Sequence, residues 1–196
     1  MGPDEKQQIK IWAQKIKASD EAAFSALFRR LYPRLIKFSW QYTKTKTSAK
    51  DIVQESFVKL WEVRSTIDPE QSLMAYLFQM VRNRSLNYLR DHSTHYSSLN
   101  NAPEETMEAE VSAPAVESNN NILGKKILKW IDALPDRQNE AIRLSRFDGL
   151  DHEEIAYVMN ISPRTVNNHI VKALNTLRAE WNAYKDKHPN GYYYDE

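Results

Sequence analysis

Two helix-start signals, separated by a very short turn, constrain the C-terminal third of this chain more than any other feature. Asp151 and Glu154 have the spacing of a capping box at the start of a first helix. Ser162 and Pro163 form a second start, as N-cap and first helical residue. Asn160, between them, tolerates the left-handed conformation that a sharp turn requires. Helices joined so tightly cannot lie antiparallel, so the second crosses the first steeply, as in a helix-turn-helix.

The second helix of this pair has an apolar face and a polar face. The residues at helical spacing that are expected to face the core are Val166, Ile170, Leu174 and Leu177. The polar face carries cationic and amide side chains, which suit phosphates and base edges, and no acidic residue interrupts it before Glu180. The predicted DNA-contacting residues are Arg164, Thr165, Asn167, Asn168, His169 and Lys172. An ordinary surface helix would explain the polarity, but neither the paired start signals nor the absence of acids.

Composition favours an all-α protein. The 196 residues include only four glycines, so a glycine-rich phosphate loop has almost nowhere to form, and long segments are rich in Ala, Leu, Lys and Glu. There is no cysteine, which excludes disulfides and thiolate metal sites. No apolar run approaches the ~18 residues of a membrane span, and no signal peptide is recognisable. A cytoplasmic protein without direct membrane insertion is therefore expected.

Residues 96–121 divide the chain into two modules. They include five glutamates and no Lys or Arg, although the net charge of the whole chain is +1. They are rich in Ser, Asn, Ala and Pro and lack helical periodicity, which predicts a flexible acidic linker; a simple solvated connector explains it as well as any specific role. The predicted organisation is a helical domain at 1–95, the linker at 96–121, a second helical domain with the helix-turn-helix at 122–188, and a tail at 189–196.

The first module begins with a cationic segment that lacks acids. Residues 22–50 contain seven Lys or Arg and no Asp or Glu, with aromatic residues interleaved. Apolar positions from Phe24 to Phe38 follow the helical period, and Pro33 is expected to kink that helix. A second amphipathic helix is predicted over 48–64. The residues expected on its core side are Ile52, Val53, Phe57, Leu60 and Trp61.

A third helix of this module is predicted over 73–91, after a proline-containing loop at 66–71 and with Ser72 as a plausible cap. The residues expected to be buried are Leu73, Leu77, Val81 and Leu89. Those expected at the surface are Arg82, Asn83, Arg84, Asn87, Tyr88 and Arg90. Aromatic, Arg and Asn side chains on one helix suit unstacked bases, although such a mixture also commonly covers a core.

Three segments of the chain resemble the sigma-70 family of bacterial transcription initiation factors, in the family's order. They are AKDIVQESFVKLWE at 49–62, AYLFQMVRNRSLNYLR at 75–90, and ALPDRQNEAIRLSRFDGLDHEEIAYVMNISPRTVNNHIVKAL at 133–174. Two helical modules with a short linker are similar to the compact extracytoplasmic-function (ECF) group. The resemblance covers about residues 20–92 and 122–181.

The resemblance implies a role for each predicted surface. In the family, the outer face of the DIVQE-type helix docks on the clamp of the largest subunit of core RNA polymerase; the corresponding residues here are Asp51, Gln54 and Glu55. The following loop and helix read and trap minus-ten bases as the duplex melts; the corresponding residues are Asp68, Ser72, Arg82, Asn83, Asn87 and Arg90. The second helix of the helix-turn-helix reads the minus-thirty-five element. Trapped bases would offset an unstacking cost of roughly a few kcal/mol without ATP.

The resemblance also implies partners. These are core RNA polymerase, promoter DNA and an anti-sigma protein that covers the same faces, with no cofactor and no small-molecule substrate. Asn167, Asn168 and His169 stand where family members often carry arginine. Because Asn makes a bidentate pair with adenine, base readout by this chain is expected to favour adenine.

Three other classes of protein compete with this interpretation. A purely structural helical adaptor would leave the basic, acid-free faces without a purpose. A free-standing helix-turn-helix transcription regulator would share the C-terminal motif, but would give no reason for the helices at 48–64 and 73–91. An enzyme would need a site, and His92 and His95 have a ligand-like spacing without an acid partner. The Glu153–Glu154 pair complements a helix start rather than forming an acid–base dyad. No catalytic residue, no metal site and no enzymatic activity are therefore predicted.

Overall fold

The structure is a computed structural model that describes residues 3–96 and 119–188, and within these ranges every regular element is helical. The helices are α1 (Pro3–Lys17), α2 (Glu21–Thr43), α3 (Lys46–Glu62), α4 (Leu73–Tyr96), α5 (Asn119–Asp132), α6 (Asp136–Arg146), α7 (His152–Met159) and α8 (Pro163–Lys187), with a short 3-10 helix at Arg64–Thr66. They form two compact units, one with α1 to α4 and one with α5, α6, α8 and most of α7. The predicted all-α fold with two helical domains is confirmed.

The predicted linker and tail fall mainly outside the described residues. These are residues 97–118 and 189–196. Both ends of the predicted linker are helical, because α4 ends at Tyr96 and α5 begins at Asn119.

Helix α1 is not predicted from the sequence. Acidic residues in its first turn (Asp4 and Glu5) and lysines in its last turn (Lys15 and Lys17) complement the helix dipole. Its apolar stripe contacts α2, so tertiary packing supplies what a short helix lacks on its own. The buried residues of this stripe are Ile9, Ala13 and Ile16.

Helix α2 is the central element of the N-terminal unit and contacts α1, α3 and α4. Asp20 caps it by accepting a hydrogen bond of 2.9 Å from the backbone N–H of Ala23. Lys44 ends it in the left-handed conformation, with φ 56°. Pro33 lies inside the helix, which continues to Thr43. Pro33 is exposed, so the hydrogen bond that proline removes lies on the solvent side.

Aromatic contacts join α2 to α3 and α4. The ring of Phe24 lies 5.0 Å from that of Trp61, and Phe28 lies 4.8 Å from Phe57. Phe38 meets Phe78 of α4 at 5.1 Å. The residues on the predicted core side of α3 that are buried are Ile52, Val53, Phe57 and Leu60, while Trp61 is half-buried. This packing fixes which side of α3 faces solvent.

The C-terminal unit contains the predicted helix-turn-helix, formed by α7 and α8. The Asp151 carboxylate accepts from the backbone N–H of Glu154 at 2.9 Å, and the Glu154 carboxylate accepts from that of Asp151, also at 2.9 Å. Asn160 has φ 53°, and Ser162 accepts from the backbone N–H of Thr165 at 3.1 Å. The capping box, the left-handed turn and the second cap are therefore confirmed.

The remaining helices of this unit support α8. Arg143 of α6 bonds Asn139 through Nε at 2.8 Å and forms an ion pair with Asp132 of α5. The ring of Trp130 on α5 meets that of Tyr184 on α8 at 5.7 Å. Helix α6 contacts α8 as well, so α8 lies against two helices and cannot turn its polar face inward.

We predict that Asp151→Ala destabilises the C-terminal unit by about 1 kcal/mol, because the capping bonds at the start of α7 are lost. Hydrogen exchange of the slow amides of the full chain measures this unit by unit. Glu180→Ala, an exposed site within α8, is the control and should change stability by less than about 0.5 kcal/mol. If the slow amides of the C-terminal unit were equally protected in Asp151→Ala and Glu180→Ala, the capping box would not stabilise this unit.

Candidate nucleic-acid interfaces

The N-terminal half of α8 presents a polar face to solvent. Arg164, Asn167, Asn168 and Lys172 are exposed, and their side chains form no hydrogen bond or ion pair with the residues that the structure describes. His169 is half-buried, at the edge of this face. On the opposite side, the residues that are fully buried are Val166, Ile170 and Ala173, while the predicted core residues Leu174 and Leu177 are half-buried.

Thr165 has a different role from its predicted neighbours. Its side-chain oxygen lies 2.8 Å from that of Ser162, and its backbone N–H donates to the same oxygen. The threonine hydroxyl is therefore engaged in the helix cap. Thr165 could contact a base through its methyl group. Contact through its hydroxyl would require the hydroxyl to break its interaction with Ser162.

Val171 is a member of the α8 surface that the sequence analysis missed. It is 46% exposed and lies one helical turn from Asn167 and Asn168 and next to Lys172. Its seven-residue spacing from Arg164 was the available signal, because residues seven apart share a face. The face thus combines forked amides, cations and one apolar group, the set that hydrogen-bonds base edges and contacts a thymine methyl.

The outer face of α3 carries Asp51, Gln54 and Glu55, all exposed as predicted. Val58, which follows at helical spacing, is 59% exposed and was also missed. Glu55 forms an ion pair of 2.7 Å with Arg84 of α4. Two acids and an amide, followed by an exposed valine, form a surface suited to a cationic, partly apolar protein partner.

The loop before α4 is ordered by its own side chains. Asp68 accepts from the backbone N–H of Glu70 at 3.0 Å and from the Gln71 side chain at 3.2 Å. Ser72 caps α4, accepting from the backbone N–H of Ala75 at 3.2 Å, which confirms the predicted cap. The side chains of Asp68 and Ser72, both predicted to contact DNA, already accept hydrogen bonds from backbone N–H groups. Binding a base through these side chains would therefore compete with the bonds that order the loop.

Asn83, Asn87 and Arg90 of α4 are exposed, as predicted. Arg82 is not: only 6% of it is exposed, so the expectation that it lies at the surface is wrong. It lies four residues after Phe78 and three before Ser85, both fully buried, and so belongs to the buried stripe. Arg82 takes part in an interaction within the described part of the chain, as expected of a buried charged residue.

Two further expectations for α4 also change. Leu89, predicted to be buried, is 38% exposed. Tyr88 is half-buried: its hydroxyl accepts from Ser48 at 3.0 Å, and its ring stacks on His92 at 4.1 Å. His92 is exposed, and no cluster of three or more His, Cys, Asp or Glu side chains suited to a metal ion occurs among the residues that the structure describes.

Helix α1 neutralises part of the cationic segment. The carboxylate of Glu5 accepts from Arg30 Nε at 2.6 Å and from Arg34 Nη1 at 3.1 Å. The hydrogen bond from Arg30 is the main reason that the pKa of Glu5 lies below its ordinary value, and the same bond raises the pKa of Arg30. Glu5 therefore remains ionised at neutral pH, and the cationic surface is smaller than the sequence suggests.

Comparison with family models identifies both units. Residues 27–94 match the model of sigma-70 region 2, and residues 125–177 match that of sigma-70 region 4; together they cover more than half of the chain. This chain belongs to the sigma-70 family. The α3 face, the loop and α4 of this sigma factor lie in the region 2 match, and α7 with most of α8 lies in the region 4 match.

Curated relatives of this sigma factor are named as ECF sigma factors. The ECF RNA polymerase sigma-E factor of Escherichia coli is 25% identical over 174 residues, which cover 85% of this chain and 91% of the relative. The sigma-E factor of Salmonella typhimurium matches to the same extent. The ECF RNA polymerase sigma factor SigM of Bacillus subtilis is 27% identical over 147 residues, or 74% of this chain and 87% of the relative.

Solved structures share the fold of this sigma factor. CnrH, solved in complex with the cytosolic domain of CnrY, matches with a TM-score of 0.62 and 20% identity, over 90% of this chain and 98% of that one. The sigma factor RpoE of Bartonella quintana, solved with the anti-sigma factor NepR, matches with a TM-score of 0.60 and 22% identity, over 80% of this chain and 94% of that one. In the described part of this chain, no helix combines the length and the apolar character of a membrane span.

We predict that Arg82→Ala destabilises the N-terminal unit by about 2 kcal/mol, because it removes a buried, partnered charge. Asn83→Ala, the exposed neighbour, should stay within about 0.5 kcal/mol of the parent chain. Hydrogen exchange gives both stabilities, and transcription from promoters varied at each minus-ten base gives the sequence preference. A stable Arg82→Ala variant with altered minus-ten preference would show that Arg82 reaches DNA after all.

Proposed function

We propose that this sigma factor directs core RNA polymerase to promoters by using three separate faces. The α3 face of Asp51, Gln54, Glu55 and Val58 binds the clamp of the largest polymerase subunit. The loop at 67–72 and the exposed side of α4 read the minus-ten element. The polar face of α8 reads the minus-thirty-five element. The observation that carries the proposal is the occurrence of region 2 and region 4 in one chain, each with an exposed polar face at the expected positions.

Polymerase docking rests on the composition of the α3 face. Exposed carboxylates steer association with a cationic surface, and Val58, at the C-terminal end of this set, supplies exposed apolar area. The pairing of Glu55 with Arg84 leaves Asp51 as the carboxylate of this set without an ion pair among the described residues. Asp51 should therefore contribute more to steering than Glu55 does.

Recognition of the minus-thirty-five element rests on α8. Asn167 and Asn168 can each hydrogen-bond an adenine in bidentate fashion, while Arg164 and Lys172 suit phosphate or guanine. The amino end of the helix also favours phosphate, because the positive end of the helix dipole lies there. Phosphate contacts would fix the position of α8 on the duplex, and the asparagine amides would determine which base sequence is recognised.

Recognition of the minus-ten element rests on fewer residues than the sequence suggested. Asn83, Asn87 and Arg90 lie on the exposed side of α4 and can meet unstacked bases. Asp68 and Ser72 organise the adjoining loop, and Arg82 supports α4 from inside. Trapping bases on this surface would favour strand opening without a nucleotide cofactor.

Membership of the sigma-70 family suggests where the protein acts and which partners it has. We infer a cytoplasmic protein that is not an enzyme and takes no cofactor or small-molecule substrate. An anti-sigma protein is a further expected partner, because CnrH and RpoE of Bartonella quintana were solved with CnrY and with the anti-sigma factor NepR. Such a partner would cover the α3 and α8 faces.

The test is transcription by core polymerase with this chain on a library of randomised promoters. We predict specific transcripts with the chain present, and at least tenfold weaker association with core for Asp51→Ala/Glu55→Ala. Glu180→Ala/Asp186→Ala, which removes two exposed acids from α8, is the charge-matched control and should bind core normally.

Two outcomes would count against the proposal. If the chain shifts duplex promoter DNA alone and never associates with core, it is a free-standing helix-turn-helix regulator. If it associates with core but yields no specific transcript, promoter recognition fails.

A second prediction concerns base readout. Asn168→Ala should reduce the preference for adenine at one minus-thirty-five position roughly tenfold, since a bidentate pair contributes about 1–3 kcal/mol of discrimination. Asn175→Ala, an exposed asparagine two turns further along α8, should leave the preference unchanged. Transcription from single-base promoter variants measures both, and an unaltered profile for Asn168→Ala would remove this residue from the reading face.

A further inference from the structure

The cationic segment at 22–50 carries exposed cations along α2 and at its C-cap that no proposed contact uses. Arg30 and Lys37 are seven residues apart, so they fall on one face of α2 about 10 Å apart along its axis, and Lys44 follows directly after the helix as its C-cap. Arg29 adjoins Arg30 in sequence and lies about 100° around the helix from it. We name these four residues (Arg29, Arg30, Lys37 and Lys44) the cationic ridge.

The ridge faces solvent along its whole length. Arg29, Arg30, Lys37 and Lys44 are all exposed, whereas Leu31, Leu35 and Phe38 between them are at most 1% exposed. Phe38 and Ser39 contact Phe78 and Ser85 of α4. The ridge is therefore distinct from the side of α2 that packs on the proposed minus-ten helix.

The ridge cations are engaged to different degrees. Lys37 has no side-chain hydrogen bond or ion pair within the described part of the chain. Lys44 Nζ lies 5.7 Å above the ring of Trp40, which positions it without neutralising its charge. Arg30 is paired with Glu5 at 2.6 Å. Glu5 is thus the single described acid with an ion pair to the ridge.

We propose that the cationic ridge binds the phosphate backbone of promoter DNA, outside the base-reading contacts. Charge complementarity selects this occupant: the ridge carries four exposed cations and its segment lacks acids, whereas the α3 face that suits the polymerase carries carboxylates. Glu5 competes with phosphate for Arg30 and so limits the strength of the contact. The inference rests on the proposed sigma-factor function.

The test is the salt dependence of promoter binding by holoenzyme, with saturating core polymerase and the labelled promoter fragment that the parent chain transcribes best. Lys37→Gln/Lys44→Gln should reduce the slope of log K against log salt by about 1.8, or 0.9 for each phosphate lost. Lys15→Gln/Lys17→Gln, two exposed lysines of α1, is the charge-matched control and should leave the slope unchanged. Glu5→Gln should steepen the slope, because it releases Arg30.

The outcomes separate this inference from the function on which it rests. If the parent holoenzyme transcribes no promoter, the proposed function fails first. If it does, and Lys37→Gln/Lys44→Gln has the slope of the parent, the ridge does not bind phosphate. Weaker association of that variant with core polymerase, measured without DNA, together with a parental slope, would make the ridge a protein-docking surface and overturn the proposal. A shallower slope with Glu5→Gln would overturn the competing role of Glu5.

Discussion

The packing of α2 against α1, α3 and α4 is the constraint on which the N-terminal unit depends. Rings of Phe24 and Phe28 meet α3, and that of Phe38 meets α4. A helix that buries one stripe must expose the opposite one. Aromatic packing beneath α3 therefore turns Asp51, Gln54 and Glu55 outward, and the same packing leaves the cationic ridge of α2 in solvent. Core and functional surface are two results of one arrangement.

In the C-terminal unit, hydrogen bonds between residues close in sequence determine where α7 and α8 begin. Reciprocal capping by Asp151 and Glu154 starts α7, and Asn160 and Ser162 set the turn and start α8. These features are short-range, so they act whatever the rest of the chain does. Packing on α5 and α6 then fixes the rotation of α8, which decides that Asn167 and Asn168 face outward.

The candidate site could be predicted where a residue's position depends on helical period alone. The outward direction of Asp51, Asn83 and Asn168 follows from spacing and is found in the structure. Arg82 was misplaced because its residue type favours the surface, while its register places it between Phe78 and Ser85. Leu89 lies four residues after the buried Ser85, so its register also predicted burial, yet it is 38% exposed. For Arg82, residue type was given more weight than register, whereas for Leu89 the two agreed and only the packing of the helices decided the exposure.

The sequence by itself determined the helical class, the two modules, the caps and the family, because these depend on local spacing, charge and motif order. Only the tertiary structure decided that Glu5 pairs with Arg30, that Glu55 pairs with Arg84, and that Leu89 lies exposed. These facts join residues far apart in the chain, or depend on where a neighbouring helix leaves a surface uncovered. No local pattern contains that information, because it arises from how the helices pack.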